Sequence, residues 1–486
     1  MANVFFDPVG AESDVPARFR FSADNRWWTV ALGVGLAALV VAVAVGVGVG
    51  MQRLLFAYLI AWSFCVSVAL GSLLWVMIQH ITKARWGTAL RRIPETIAMN
   101  LPLLALAGLP VLLGTHDLFH WSHADLYQPG DHYDRILAGK AGYFFWPMAA
   151  GTVPVFFYLR YVVYFAIWST LAVRLYRLSV TSDTRPNAEI TLKQRKVSAI
   201  GIPLTGVTFA FAGFDWLMST DPHWFSTMFG VYFFAGGWLG AISLITFLAL
   251  LLKKAGMLDD VVSGHHIHDM GRYMFAFTVF WTYIAFSQYM LYWYANLAEE
   301  TIWFAKRLTA GWDTVAWALV IFHFILPFLI LILRATKRTY PALATMAVWL
   351  LVMHWVDLWW VTSPAMIPAT DHAEEAHAAA PPADDAMPLV LTAAQTAAPE
   401  AVAPAQVLDP ATEPGTPTHA ATGDEAHPAE TFNPTVVPAP FPAVEFLMWL
   451  GMFGLFLGVT LLRFGRHALT PYGDPYFTDS LRFETT

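Results

Sequence analysis

Two aspartates stand where apolar sequence is expected. Asp215 lies in "FAFAGFDWLMS", four residues before the polar turn begins at Ser219, and Asp357 lies in "HWVDLWW". A carboxylate facing lipid costs a few kcal/mol unless it is paired or neutral, so each needs a partner or a task. The chemistry open to such groups is proton transfer. Asp357 has His354 three residues earlier, on the same face of a helix. His323, in "VIFHFILPF", sits in the preceding apolar run at a similar distance from its end. Arg160 falls about 13 residues into "PMAAGTVPVFFYLRYVVYFAIW", which places it near mid-membrane and obliges it to find a carboxylate, carbonyls or water. His80 and Glu95 lie at the opposite end of the apolar runs from the two aspartates. Together Glu95, His80, Arg160, His323, His354, Asp357 and Asp215 form a three-layer distribution from which a proton path can be built. The bland reading of each is a helix-end residue reaching the interface or bonding a neighbouring helix.

Around Asp215 and Asp357 a second group gathers at the same membrane face. Asp221, His223, Gln288, Tyr289, Tyr292, Glu299 and Glu300 form an outer cluster that could face a substrate or a partner protein. His323 and His354 also meet the requirement of a bis-histidine haem b, although a hydrogen-bonded or proton-transfer pair is the commoner use of two such histidines. The run "SGHHIHDMGR" resembles a metal box, but its position before a long apolar run suits helix capping by His268 or Asp269. Four histidines at 116, 120, 123 and 132 match no zinc spacing. No metal ligand set is assigned.

These residues must be positioned by membrane helices. The 486 residues are 57% hydrophobic and 13% charged, about half the charge of a soluble domain. Ten stretches are long enough to span: 28–49, 54–82, 97–114, 147–176, 197–218, 228–252, 271–294, 312–334, 341–362 and 443–464. The expectation is an all-α membrane protein with both termini inside. Lys and Arg fit that alternation. Of the 28, only Arg53, Arg135, Lys140, Lys306 and Arg307 fall outside and Arg160 within a span. The N-terminal segment 1–27 is then cytoplasmic, 28–362 a nine-helix domain, 443–464 the tenth helix and 465–486 a cytoplasmic tail. Residues 363–442 contain no Lys or Arg and are rich in Ala, Pro, Asp and Glu. They cannot bury a core and read as a disordered acidic extracytoplasmic linker. The single cysteine, Cys65, excludes an intrachain disulfide and a Cys-ligated iron–sulfur cluster in this chain.

"DWLMSTDP" (215–222) and "DLWWVTSP" (357–364) share Asp, Thr five residues on and Pro seven on. Spans 2–5 and 6–9 are therefore candidates for two related four-helix bundles, with the first and last helices peripheral.

Several blocks together, "ALGSLLWVMIQHITKARW", "RRIPE", "FAFAGFDWLMSTDPHWFSTMFGVYFFAGG", "HIHDMGRYMFAFTVFWTYIAFSQYMLYWYANLAEET" and "HWVDLWW", resemble the F subunits of alternative complex III, within the wider NrfD-like group. The resemblance covers residues 28–362. It implies two four-helix bundles and no prosthetic group in this chain. Multihaem cytochromes c, an iron–sulfur protein and a sister NrfD-like subunit would be the partners, in a bacterial cytoplasmic membrane, with quinol as substrate of the complex and no nucleic acid. It carries over Asp215, Asp221, His223, Gln288, Tyr289, Glu299, Glu300, His354 and Asp357. The insert at 365–442 departs from the family pattern. Physics alone leaves two other functions open, a secondary transporter or ion channel and a purely structural anchor for redox subunits.

Overall fold

The computed structural model describes residues 19–21, 26–130, 132–366 and 438–484, the side chains of 298 and 299 excepted. The regular secondary structure of these residues is all helix, and ten helices are long and apolar enough to cross a membrane. They are α1 (Trp27–Val49), α2 (Met51–Ile81), α3 (Arg92–Leu113), α4 (Val155–Thr184), α5 (Ala188–Thr220), α6 (Met228–Lys254), α7 (Gly264–Ala295), α8 (Trp312–Leu331), α9 (Tyr340–Ala365) and α10 (Ala443–Phe464). Most of the linker, 367–437, lies outside the described residues. Its flanks are ordered: Ser363–Ala365 continues α9 as a 3₁₀ turn, and the Ala439 amide donates to the Ala310 carbonyl at 2.9 Å.

α2 and α6 are the most buried spans and pack on each other. Small residues allow it. A Cβ on Gly71 would meet Ala241 and the Gly237 backbone at 2.7 Å, and one on Gly237 would meet Ser67 at 2.7 Å. Close backbone approach of this kind is how helices associate where lipid supplies no hydrophobic drive. α3, α5, α9 and α10 also contact α2, while α7 and α9 flank α6. α1 lies along α10 through Gly35, Gly451, Gly454 and Gly458. At one end of that pair, Arg53 binds Glu445 through two nitrogens, at 2.8 and 3.1 Å.

α3 is broken into three segments, the second and third of which start beside Pro102 and Pro110. Proline removes a helix donor, and in a membrane the freed carbonyls need protein partners. Around these breaks aromatic tips bond the backbone. Trp62 donates to the Leu104 carbonyl at 2.9 Å, Tyr161 to Ala105 at 2.6 Å and Tyr58 to Ala107 at 2.5 Å.

The largest departure from the apolar runs is α4. It begins at Val155, eight residues later than 147, because Pro147 and Pro154 bracket a turn rather than a helix. It then continues to Thr184, beyond the apolar stretch. α5 and α7 likewise start earlier than expected, through polar turns at Ala188 and Gly264. Charged side chains do not interrupt a helix that projects beyond the apolar layer, so hydropathy alone shortens these ends. The chain after α10 folds back on the same end. Leu469 donates to the Phe19 carbonyl at 2.9 Å, Asp479 pairs with Arg85 at 2.9 Å, and Ser480 donates to the Trp86 carbonyl at 2.6 Å. This is called the tail end below, and the opposite one the loop end.

Gly454 places its Cα so close to Gly35 that an added Cβ would sit 2.7 Å from it. Gly454→Leu is expected to push α1 off α10 and cost about 1–3 kcal/mol. Thermal unfolding of the purified protein in detergent checks this; a wild-type transition would mean that the close approach is not required.

Candidate functional site

The two aspartates, alike in sequence, sit in opposite electrostatic surroundings. Asp215, 1% exposed near the loop end of α5, is saturated. Arg160 donates to both of its oxygens at 2.8 Å, and the hydroxyls of Tyr143 and Tyr164 each donate at 2.8 Å. Arg160 also donates to the Tyr143 carbonyl at 2.5 Å, and its guanidinium lies 3.9 Å from the centre of the Tyr143 ring. Because α4 starts at Val155, Arg160 lies in its second turn, at the loop end and not at mid-membrane. Tyr143 belongs to the short helix Arg135–Phe145. Burial and the adjacent Asp215 raise its phenol above the usual range. Four hydrogen bonds, two from a guanidinium, leave this carboxylate with no capacity to spare.

Asp357, also 1% exposed, has only neutral partners among the described residues. The Tyr232 hydroxyl of α6 donates to one oxygen, and the Trp281 indole of α7 donates to the other at 3.2 Å. Among the described residues no arginine or lysine bonds it, and the neighbouring α8 contains neither. His354 lies one turn away, and its Nε2 is 2.9 Å from the Ser67 hydroxyl of α2. Its Nδ1 has no hydrogen-bond partner among the described residues. Room for the imidazole exists because α6 has glycine there: a Cβ on Gly236 would lie 2.8 Å from the ring and 3.7 Å from the Asp357 carboxylate. His323 is fully buried in α8, stacked on Trp281 at 3.9 Å between ring centres. Among the described residues neither of its nitrogens has a hydrogen-bond partner, and it does not bond His354. α6, α7, α8 and α9 thus bring His323, His354 and Asp357 around Trp281 and Tyr232. Asp357, with His354 one turn away and His323 across Trp281, is the feature here most suited to proton transfer.

The other loop-end residues divide into separate pairs. Asp221 receives Lys306 at 3.3 Å and lies 3.9 Å from Arg307. Arg307 is buried, donates to the Val361 carbonyl at 2.5 Å and lies 3.6 Å from the Trp303 ring centre. Burial brings it down to about 9, against the opposing pull of Asp221 and Tyr232. His223 pairs with Asp134 at 2.5 Å. Burial would raise the Asp134 carboxyl, but His223 and the amides of Leu137 and Ile136 hold it below the usual range. Tyr292 donates to the Phe225 carbonyl at 2.7 Å, Tyr289 packs on Phe304, and the Gln288 side-chain oxygen is buried without a hydrogen-bond partner. Glu300 is half-buried, and the Glu299 side chain lies outside the described residues. His116, His120 and His123 neighbour one another, with His116 and His123 4.2 Å apart. Among the described residues no group of three or more His, Cys, Asp or Glu side chains is arranged to hold a metal ion.

At the tail end Glu95 is held by Arg91 and Arg92, each at 3.1 Å. Arg91 also takes Asp474 at 2.5 Å and Arg92 takes Asp183 at 2.8 Å. Glu95 is therefore part of a five-residue ion network, a structural use. His80 is buried nearby, with Nε2 unpartnered. The cap of α7 is built by Ser263 and His266, 2.8 Å apart, and not by His268 or Asp269; Asp269 instead binds Arg272 at 2.9 Å. The capping residue is the one at the third helical position, whose ring can turn back to the Ser263 amide.

Tyr143, Tyr164, Tyr232, Trp281 and Ser67 were not singled out from sequence. With 15% aromatic residues, a tyrosine or tryptophan that aims its polar tip at a carboxylate is indistinguishable from one that merely packs. No protein-family model matches the chain, and no curated protein is similar to it at a significant level.

Asp215→Asn is expected to leave the largely buried Arg160 without a counter-charge, a loss of about 3 kcal/mol. Asp357→Asn keeps an acceptor for Tyr232 and is expected to cost about 1 kcal/mol. Unfolding of both variants in the same detergent measures the contrast; equal losses would contradict the assignment of different charge environments.

Proposed function

We propose that this chain is a non-redox membrane subunit of a quinol-oxidising electron-transfer complex of the alternative complex III kind, in a bacterial cytoplasmic membrane. In this reading it scaffolds the complex and moves protons through α6–α9. The observation that carries it is Asp357: a buried acid with neutral donors, beside two histidines with free nitrogens. Further support comes from the order of contacts, α2–α3–α4–α5 and α6–α7–α8–α9 each closing on itself, which fits two four-helix bundles with α1 and α10 outside. The basic residues put the tail end in the cytoplasm, so both termini are inside.

Oxidation of one quinol releases two electrons and two protons. The electrons leave through iron–sulfur clusters and c-type haems of partner subunits, alongside a sister NrfD-like subunit. The protons need acceptors, and quinol-site support at the loop end of this chain is compatible with that role. Asp357 takes a proton on the oxygen facing Trp281 or Tyr232 and passes it on through the adjacent imidazole of His354. Asp215 is not a carrier in this scheme, because protonating it would break the Arg160 pair. The same saturated pair and the Glu95 network favour a second reading, a purely structural anchor for redox subunits.

Asp357→Asn in the complete complex separates them. In proteoliposomes, proton translocation linked to quinol oxidation is expected to fall about a hundredfold, with the complex still assembled. Translocation and quinol oxidation at wild-type rates would leave the anchor. Purification of the chain free of any haem protein would favour a transporter.

A further inference from the structure

One turn of α8 is not α-helical. Residues Leu319–Ile325, with His323 among them, form a π-helical stretch, and the Leu326 amide that follows donates to the Ile321 carbonyl, five residues back. In that register the Phe322 carbonyl should receive the amide of residue 327. Residue 327 is proline and has no N–H. The carbonyl is instead met from another helix: the Trp349 indole of α9 donates to it at 2.7 Å. An orphan carbonyl at this depth costs several kcal/mol. In an α-helical register Leu326 would serve Phe322, and Pro327 would orphan the His323 carbonyl. Trp349 would then have nothing to satisfy.

We infer that Trp349 is a positioning residue for His323. Its indole N–H selects the π register, and the register sets the direction of the imidazole. Removing the extra residue of a π turn rotates the following side chains by about 100°, the angle per residue of an α-helix. His323 would leave the face of Trp281, whose own indole holds Asp357. Trp349 touches neither Asp357 nor His323 by any hydrogen bond, so its effect passes through the backbone of α8. It is only half-buried, so its replacement removes little core packing. The functional consequence rests on the proposed proton role of α6–α9; the structural claim does not.

Two variants separate donor from bulk. Trp349→Phe keeps a ring and loses the N–H; Trp349→His keeps an N–H in a smaller side chain. Both are read in the intact complex, in lipid nanodiscs for a cryo-EM map of α8 and in proteoliposomes for quinol-linked proton translocation. The expected result is that Trp349→Phe converts 319–325 to an α-helical turn with His323 off Trp281 and slows translocation about tenfold. Trp349→His is expected to retain the π turn and most of the rate. A π turn that persists in Trp349→Phe overturns the inference, as does a Trp349→His protein no better than Trp349→Phe. A wild-type complex that moves no protons would defeat the proposed function, while the register in the maps would still decide the role of Trp349.

Discussion

Everything polar inside this bundle is governed by the lack of water to fall back on. A buried carboxylate has two ways to persist there: full charge compensation, or partners that tolerate its neutral form. Asp215 takes the first, with a guanidinium gripping both oxygens and two phenols completing the shell. Asp357 takes the second, with a phenol and an indole. The difference rests on Arg160, which α4 delivers to Asp215 and for which α8 has no counterpart.

The same shortage explains why aromatic residues do so much of the polar work. Around the helix breaks in α3, Trp62, Tyr58 and Tyr161 donate to backbone carbonyls, and at the π turn in α8 Trp349 meets the carbonyl that Pro327 leaves open. An indole or phenol brings one donor on a large apolar body, so it can reach a buried carbonyl without carrying a charge into the bundle. Glycines complement them. Gly236 yields the space that His354 fills, and Gly71 and Gly237 bring α2 near enough to α6 for Ser67 to reach the same imidazole. The packing of α2 on α6 and the position of His354 are one arrangement.

The ten helices were legible in the sequence because length and apolarity decide them one at a time. Their ends were less so. Pro147 and Pro154 sit inside an apolar run that hydropathy reads as continuous, and this error alone carried Arg160 to mid-membrane. The paired carboxylate could be anticipated for Asp215 as a necessity, but not its partner, since contacts between α4 and α5 side chains leave no periodic trace. His354 and Asp357 were recognisable from their spacing of three. Tyr232 and Trp281 were not, being two aromatics among many. The three-layer path drawn from sequence joined Arg160 and Asp215 to His323 and Asp357; the structure separates these into two sites on different helices.

The matching words "DWLMSTDP" and "DLWWVTSP" acquire a physical meaning in this light. Each places an aspartate near the loop end of a helix, and each aspartate takes a tyrosine hydroxyl from a neighbouring helix, Tyr164 in one case and Tyr232 in the other. The phenols come from different places in the chain order, Tyr164 from the helix just before its aspartate's and Tyr232 from three helices before, so the acid and not its partner is what the two words share. Adding a cation makes the acid a strut, because the ion pair ties α4 to α5. Leaving the cation out keeps the acid responsive to what lies beside it, which here means His354 and, across Trp281, His323. A single bundle could not hold one acid in both conditions at once. Two aspartates can divide them, Asp215 in a pair with Arg160 and Asp357 held by a phenol and an indole.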